Sequence, residues 1–124
     1  MNFPQDLKYA KTHEWIKVQG DEATVGITDH AQNALTDIVY VELPKLLPVK
    51  AQQPVAVVES VKAASDIYSP VSGTVIAVND SLKNSPGSIN QSSYTDGWIF
   101  KLKLSQPEEL NQLMDASAYQ SHIQ

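Results

Sequence analysis

The chain has 124 residues, 42% hydrophobic and 19% charged, with 9 basic against 14 acidic side chains, a formal charge of −5 and no cysteine. That length suits one domain, burying roughly two-thirds of the surface that the unfolded chain exposes. The charge balance argues against a nucleic-acid partner, since phosphate binding needs a basic face, and the missing cysteines exclude disulfides, zinc thiolates and cysteine nucleophiles. Residues 1–11 have no apolar core of signal-peptide length, and no later run approaches the ~20 residues of a membrane span; a cytoplasmic, bacterial protein is the expectation.

Residues 13–28 predict a hairpin with its turn at Gln19-Gly20-Asp21-Glu22 and with Trp15, Val25 and Ile27 in the core. A short helix over 28–35 follows, with Thr28 or Asp29 as its N-cap, and then a strand over 37–43 that Pro44 ends. After a connection over 45–54, the β-formers Val55, Val57 and Val58 face a second run (Ile67, Tyr68, Val71, Val75, Ile76, Val78) across a small-residue segment, 60–65. Residues 79–91 are polar and punctuated by Pro and Gly, which predicts a surface loop. Trp98, Phe100, Leu102 and Leu104 alternate with Ile99, Lys101 and Lys103 in a half-buried last strand. Ser105-Gln106-Pro107-Glu108 then predicts the start of a C-terminal helix lined by Leu110, Leu113 and Met114. His13, His30 and His122 have no metal-ligand spacing, and His30 reads as a polar surface residue.

The segment 60–65 is the sequence of a hairpin tip whose one long side chain is Lys62, although it lacks the Asn-Gly or Asp-Gly pair of a strong hairpin signal. A solvated surface lysine is one reading. The neighbours favour another: Val61, Ala63 and Ala64 leave small apolar groups beside the amine, which solubility alone does not favour. A modifying enzyme gripping the tip would favour them, and would read Glu59 and Ser60 as well. No nucleophile elbow, phosphate-cradling loop or histidine pair is present. A Schiff-base lysine would need a desolvated pocket, which a hairpin tip is not. The chain is therefore a poor candidate for an enzyme.

Glu59-Ser60-Val61-Lys62-Ala63-Ala64-Ser65-Asp66 resembles the lipoylation motif of glycine cleavage system H proteins. The similarity continues, in order, through Thr12-His13-Glu14-Trp15, Thr24-Val25-Gly26-Ile27-Thr28-Asp29-His30-Ala31-Gln32, Val41-Glu42-Leu43-Pro44, Ser69-Pro70-Val71-Ser72-Gly73 and Gly97-Trp98. The resemblance implies a mainly β fold, a barrel-sandwich hybrid of two antiparallel sheets with a short helix near residue 30 and a C-terminal helix. It implies a single lipoyl-carrier domain over residues 1–124. It also implies lipoic acid in amide linkage to Lys62, recognition of Glu59, Ser60, Val61, Ala63 and Ala64 by a lipoate-attaching enzyme, and a cleft in which Glu14 and Asp66 attract the cationic end of the arm. A surface charge is the alternative for each of these two carboxylates.

Function follows from the same resemblance. The implied role is a non-catalytic shuttle of glycine catabolism. It takes an aminomethyl group from glycine decarboxylase (P-protein) to aminomethyltransferase (T-protein) and electrons to dihydrolipoamide dehydrogenase (L-protein). Two other readings stay open. A lipoyl relay would hand lipoyl groups to other enzymes, and a biotin carrier is disfavoured because no methionine flanks Lys62. One stretch departs from the family: residues 45–54 carry Leu46, Leu47, Pro48 and Gln52 where relatives usually have glycines. A non-glycine residue in a left-handed turn there costs about 1 kcal/mol.

Overall fold

The computed structural model describes residues 1–124. The strands, in chain order, are β1 (Lys8–Tyr9), β2 (Glu14–Gln19), β3 (Glu22–Ile27), β4 (Ile38–Glu42), β5 (Pro48–Val49), β6 (Pro54–Ser60), β7 (Ala64–Tyr68), β8 (Gly73–Val78) and β9 (Phe100–Leu104). They form a six-stranded sheet, β1-β2-β3-β9-β8-β5, and a three-stranded sheet, β4-β6-β7. Every pairing is antiparallel, so alternate side chains of each strand turn inward. Between the sheets, Ile16, Val25, Val58, Ile67, Val75 and Phe100 are buried in one core.

β2 is covered on both faces. Ile16 enters the main core, while Trp15 joins a second cluster with Leu7, Tyr9, Ala116 and Tyr119. Trp15 lies directly across from Gly26, where a Cβ would sit 2.7 Å from the indole, so glycine is what lets the ring rest on the neighbouring strand. The indole N–H donates to the carbonyl of Ser93 at 2.9 Å.

Helix α1 (Asp29–Leu35) starts on Thr28, whose hydroxyl accepts from the Ala31 N–H at 3.2 Å; Asp29 is thus inside the helix. The helix ends at Thr36, held at φ 63 and ψ −145, a region that side chains rarely occupy and that costs on the order of 1–3 kcal/mol. Thr36→Gly is expected to raise stability by about 1 kcal/mol, once the extra unfolded-state freedom of glycine is set against the relieved strain. Urea denaturation reads this directly, and a midpoint equal to or below that of the parent would show that Thr36 is unstrained.

Three local expectations need correction. Residues 79–91 are more than a surface loop: a 3-10 turn (Asp80–Lys83) and helix α2 (Ser88–Gln91) each bury one apolar anchor, Leu82 and Ile89. Two isolated apolar residues among polar ones carry no period, which hid them. No single helix starts at Ser105. A 3-10 turn spans Pro107–Gln112 without a side-chain cap, and Glu109 spends its carboxylate on the Ser72 N–H and hydroxyl, at 2.7 and 3.0 Å. Met114 then pairs with the Tyr9 backbone in both directions, pulling the chain out of helix, and α3 (Ala116–His122) restarts on Asp115. Finally, Pro48–Val49 adds an edge strand to β8 that no alternation announced.

The atypical loop does contain a left-handed residue, Gln52 at φ 68. Its N–H donates to the Ser69 carbonyl at 2.7 Å, and the Ser69 N–H returns to the Gln53 carbonyl at 2.9 Å. In β4, Ile38 pairs with Ser60 and Tyr40 with Glu59, so Val39 is an extra residue, a bulge. As a result Val39 and Tyr40 both face outward, each 54% exposed, while Ile38 and Val41 are buried.

Candidate functional site

Lys62 stands at the tip of the β6–β7 hairpin, and one serine shapes that tip. The Ser60 N–H donates to the Ala63 carbonyl at 2.7 Å. Its Oγ accepts from the N–H groups of Lys62 and Ala63 at 3.3 and 3.1 Å and lies 3.2 Å from the Ala63 carbonyl, to which it donates. This side-chain closure replaces the Asn-Gly pair that the sequence lacked. The Val61 N–H donates to the Asp37 carbonyl at 3.0 Å, fastening the tip to the residue before β4. Glu59, Val61, Lys62, Ala63 and Ala64 are exposed and Ser60 is half-buried. Ion pairs occur only at Lys83–Asp80 and Lys103–Asp21, so the Lys62 amine is unpaired.

Beside the hairpin lies a cleft of about 180 Å³ between β2, α1 and β7. Ile27, Ala31, Leu35 and Ile67 give it apolar walls, and Glu14, Asp66, His13 and His30 supply its polar groups. Glu14 and Asp66, fifty-two positions apart in sequence, thus line one hollow. Asp66 is exposed, but Glu14 is only 1% exposed, which rules out a surface charge there. Glu14 opens β2 on the same face as Ile16, at the rim of the core. One carboxylate oxygen accepts from the Thr12 hydroxyl and the other from the Tyr68 N–H at 3.0 Å, so Glu14 spans the two sheets.

Burial pushes the Glu14 pKa up to about 7, against the opposing pull of the hydrogen bonds from Thr12 and Tyr68. Near neutral pH this carboxyl is poised between its two forms. A cation entering the cleft ionises it, so cation binding releases a proton. The three histidines scattered in sequence also meet in space: the ring of His13 lies 5.0 Å from that of His30 and 6.0 Å from that of His122. They form no metal-ligating set. His30 is half-buried on the cleft wall beside His13 because the β2–β3 hairpin sets Glu14 opposite Ile27 and leads straight into α1, whereas His122 is brought in from the far end of the chain by α3.

The residues fit an aliphatic arm with a cationic end. The amine that would carry it is exposed and unpaired, and the cleft joins apolar walls to a buried carboxyl. Asp66 is four residues past Lys62, which sits in the turn ahead of β7, so at ~3.3 Å per residue the two are no more than about 13 Å apart, and an extended lysyl-lipoyl arm reaches about 10–15 Å.

The glycine cleavage H-protein family model matches residues 7–124. The chain is 57% identical to the glycine cleavage system H protein of Methylacidiphilum infernorum (isolate V4), covering 100% of this chain and 98% of that protein. It is 54% identical to that of Endomicrobium trichonymphae, covering 99% and 100%. The crystal structure of a glycine cleavage system H protein from Mycobacterium marinum superposes with a TM-score of 0.89 at 34% identity, covering 98% of each chain. The two-sheet architecture around Trp15 and the hairpin is therefore that of a barrel-sandwich hybrid, and the chain belongs to the glycine cleavage H-protein family.

Proposed function

We propose that Lys62 is the residue through which this chain carries its lipoyl group, and that the Glu14–Asp66 cleft shelters the cargo. The chain is a non-catalytic lipoyl carrier of the glycine cleavage system, moving an aminomethyl group and electrons between enzymes. When bound, the lipoyl group supplies disulfide–dithiol chemistry that no residue of this cysteine-free chain can offer. The chain's own residues do the rest. Ser60 fixes the turn so that the Lys62 amine projects without a competing partner, and this presentation is the observation that supports the assignment. Glu59, Val61, Ala63 and Ala64 give the lipoate-attaching enzyme a small, exposed surface to grip. Glu14 and Asp66 provide negative charge at the cleft, and Ile27, Leu35 and Ile67 exclude water from it.

The partners in this reading are glycine decarboxylase, aminomethyltransferase and dihydrolipoamide dehydrogenase, working in a bacterial cytoplasm; no helix of the chain is long and apolar enough to cross a membrane. Mixed with these three enzymes, glycine, tetrahydrofolate and NAD, the lipoylated protein is expected to support NADH formation and the unmodified protein is not. A lipoyl relay behaves otherwise. It yields no glycine-dependent NADH but passes its lipoyl group to an acyltransferase domain when a lipoyltransferase is added, and that pair of results would overturn the shuttle reading.

A further inference from the structure

We infer that Tyr119, on the C-terminal helix, fixes His13 as a neutral imidazole protonated on Nε2 at the wall of the Glu14 cleft, which makes His13 a positioning residue for the cationic cargo. This rests on the cleft reading above, and the chain of hydrogen bonds carries it. Thr28 is fully buried. Its hydroxyl oxygen accepts from the Ala31 N–H, which leaves its own proton in need of an acceptor, and the Tyr119 oxygen at 2.8 Å is the one in reach. The 2.8 Å separation suits that bond, and a buried hydroxyl proton left without an acceptor would be costly. Tyr119 therefore accepts from Thr28 and donates its own proton to Nδ1 of His13, 2.8 Å away. A neutral ring whose Nδ1 accepts carries its proton on Nε2.

The groups around His13 reinforce this. Its backbone is held at φ 80 by its N–H donating to the Ala10 carbonyl and by the Thr28 N–H donating to its own carbonyl, both at 3.0 Å, so the ring direction is set from both sides. His30 of α1 and His122 of α3 face it, Thr12 and Glu14 adjoin it on β2 and its approach, and Ser65 and Asp66 of β7 lie across the cleft. Burial, then the two histidines, hold the His13 pKa below its ordinary value. Nε2 makes no hydrogen bond within the chain, and His13 lines the cleft. A neutral donor there leaves the negative charge of Glu14 and Asp66 unopposed, whereas an imidazolium would repel an ammonium. The C-terminal helix thus shapes the cleft through Tyr119 without lining it.

The test uses the unmodified, ¹⁵N-labelled protein and long-range ¹H–¹⁵N spectra, which report the proton on each ring nitrogen. At pH 7 His13 is expected to be the Nε2–H tautomer. In Tyr119→Phe, which keeps the ring stacked on Tyr9 at 4.8 Å, the tautomers mix and the His13 titration midpoint rises. In the lipoylated proteins, Tyr119→Phe is expected to leave attachment at Lys62 unchanged and to speed loss of the aminomethyl cargo several-fold at pH 6, with little effect at pH 8. An Nδ1–H or charged His13 in the parent protein at pH 7 overturns the relay without recourse to any variant. An intact relay with equal cargo loss at both pH values overturns the positioning role. Because the spectra need no lipoyl group, they stand apart from the assignment of Lys62.

Discussion

Lys62→Arg is expected to fold like the parent chain and to gain no mass when a lipoate-attaching enzyme, lipoate and ATP are supplied, whereas the parent gains one lipoyl group. The side chain is exposed and makes no ion pair, so the exchange should shift stability by no more than about 0.5 kcal/mol. The chemistry is all or none. A guanidinium stays protonated at any pH the protein survives, and it offers no nucleophilic amine to an activated acyl group. None of the other lysines can substitute, because none sits on a turn closed by a serine between two exposed small residues. Glycine-dependent NADH formation should vanish with the modification. A label found on a different lysine, or biotin in place of lipoate, would remove Lys62 from its assigned role.

Glu14→Gln should abolish a loss of stability that the parent suffers as pH rises toward 8. With its pKa raised from 4.5 to about 7, the folded chain keeps a proton that the unfolded chain releases across that window. The folded state therefore binds more protons, and the unfolding free energy falls as pH rises through it. At ~1.4 kcal/mol per pKa unit, the loss by pH 8 is on the order of 3 kcal/mol. Glutamine has no such titration, so the variant should be the more stable protein at pH 8 and lose that advantage near pH 4.5. There the parent carboxyl is itself neutral, and like a glutamine amide it offers one acceptor to the Tyr68 N–H and one donor toward the Thr12 hydroxyl oxygen, so the two proteins converge. His13 has a depressed pKa and the opposite slope below 6.5, but it is common to both proteins and largely cancels in the difference. Urea titrations at pH 5, 7 and 8 measure this difference; parallel curves would mean that Glu14 is ionised at its ordinary pKa. Millimolar methylammonium should stabilise the parent at pH 8 and leave Glu14→Gln unmoved.

How much of this was legible in the sequence varied with the range of the interaction. The hairpin around Lys62, the hairpin over 13–28 and the Thr28 cap follow from local pattern, since β-branched runs, small turn residues and a capping hydroxyl act within a few positions. The turn at Ser60 was less legible because a serine signals many turns and only its bonds to Ala63 show which one forms. The C-terminal region misled for a physical reason: Leu110, Leu113 and Met114 have helical spacing, but Met114 gains two backbone bonds to Tyr9 by leaving the helix. The cleft was legible only as two carboxylates of uncertain setting. What ties Glu14 into the interior is the Tyr68 amide arriving from the other sheet, and what brings His122 to the other two histidines is α3 packing near the first strands. Such contacts have no signature within a short window.

The outward pair at the β4 bulge has a consequence for life at high concentration. Four strands border the two sheets. β1 and β5 are two residues long, and β5 carries Pro48, which has no amide proton to offer. β4 is interrupted at Val39, and β7 presents Ser65 and Asp66. No border therefore offers a long, flat row of unpaired amides and carbonyls to a second copy, which is the template for strand addition and aggregation. A carrier that passes its cargo between enzymes, while showing Val39, Tyr40 and Val61 to solvent, thus has no sheet edge suited to adding strands from a second copy.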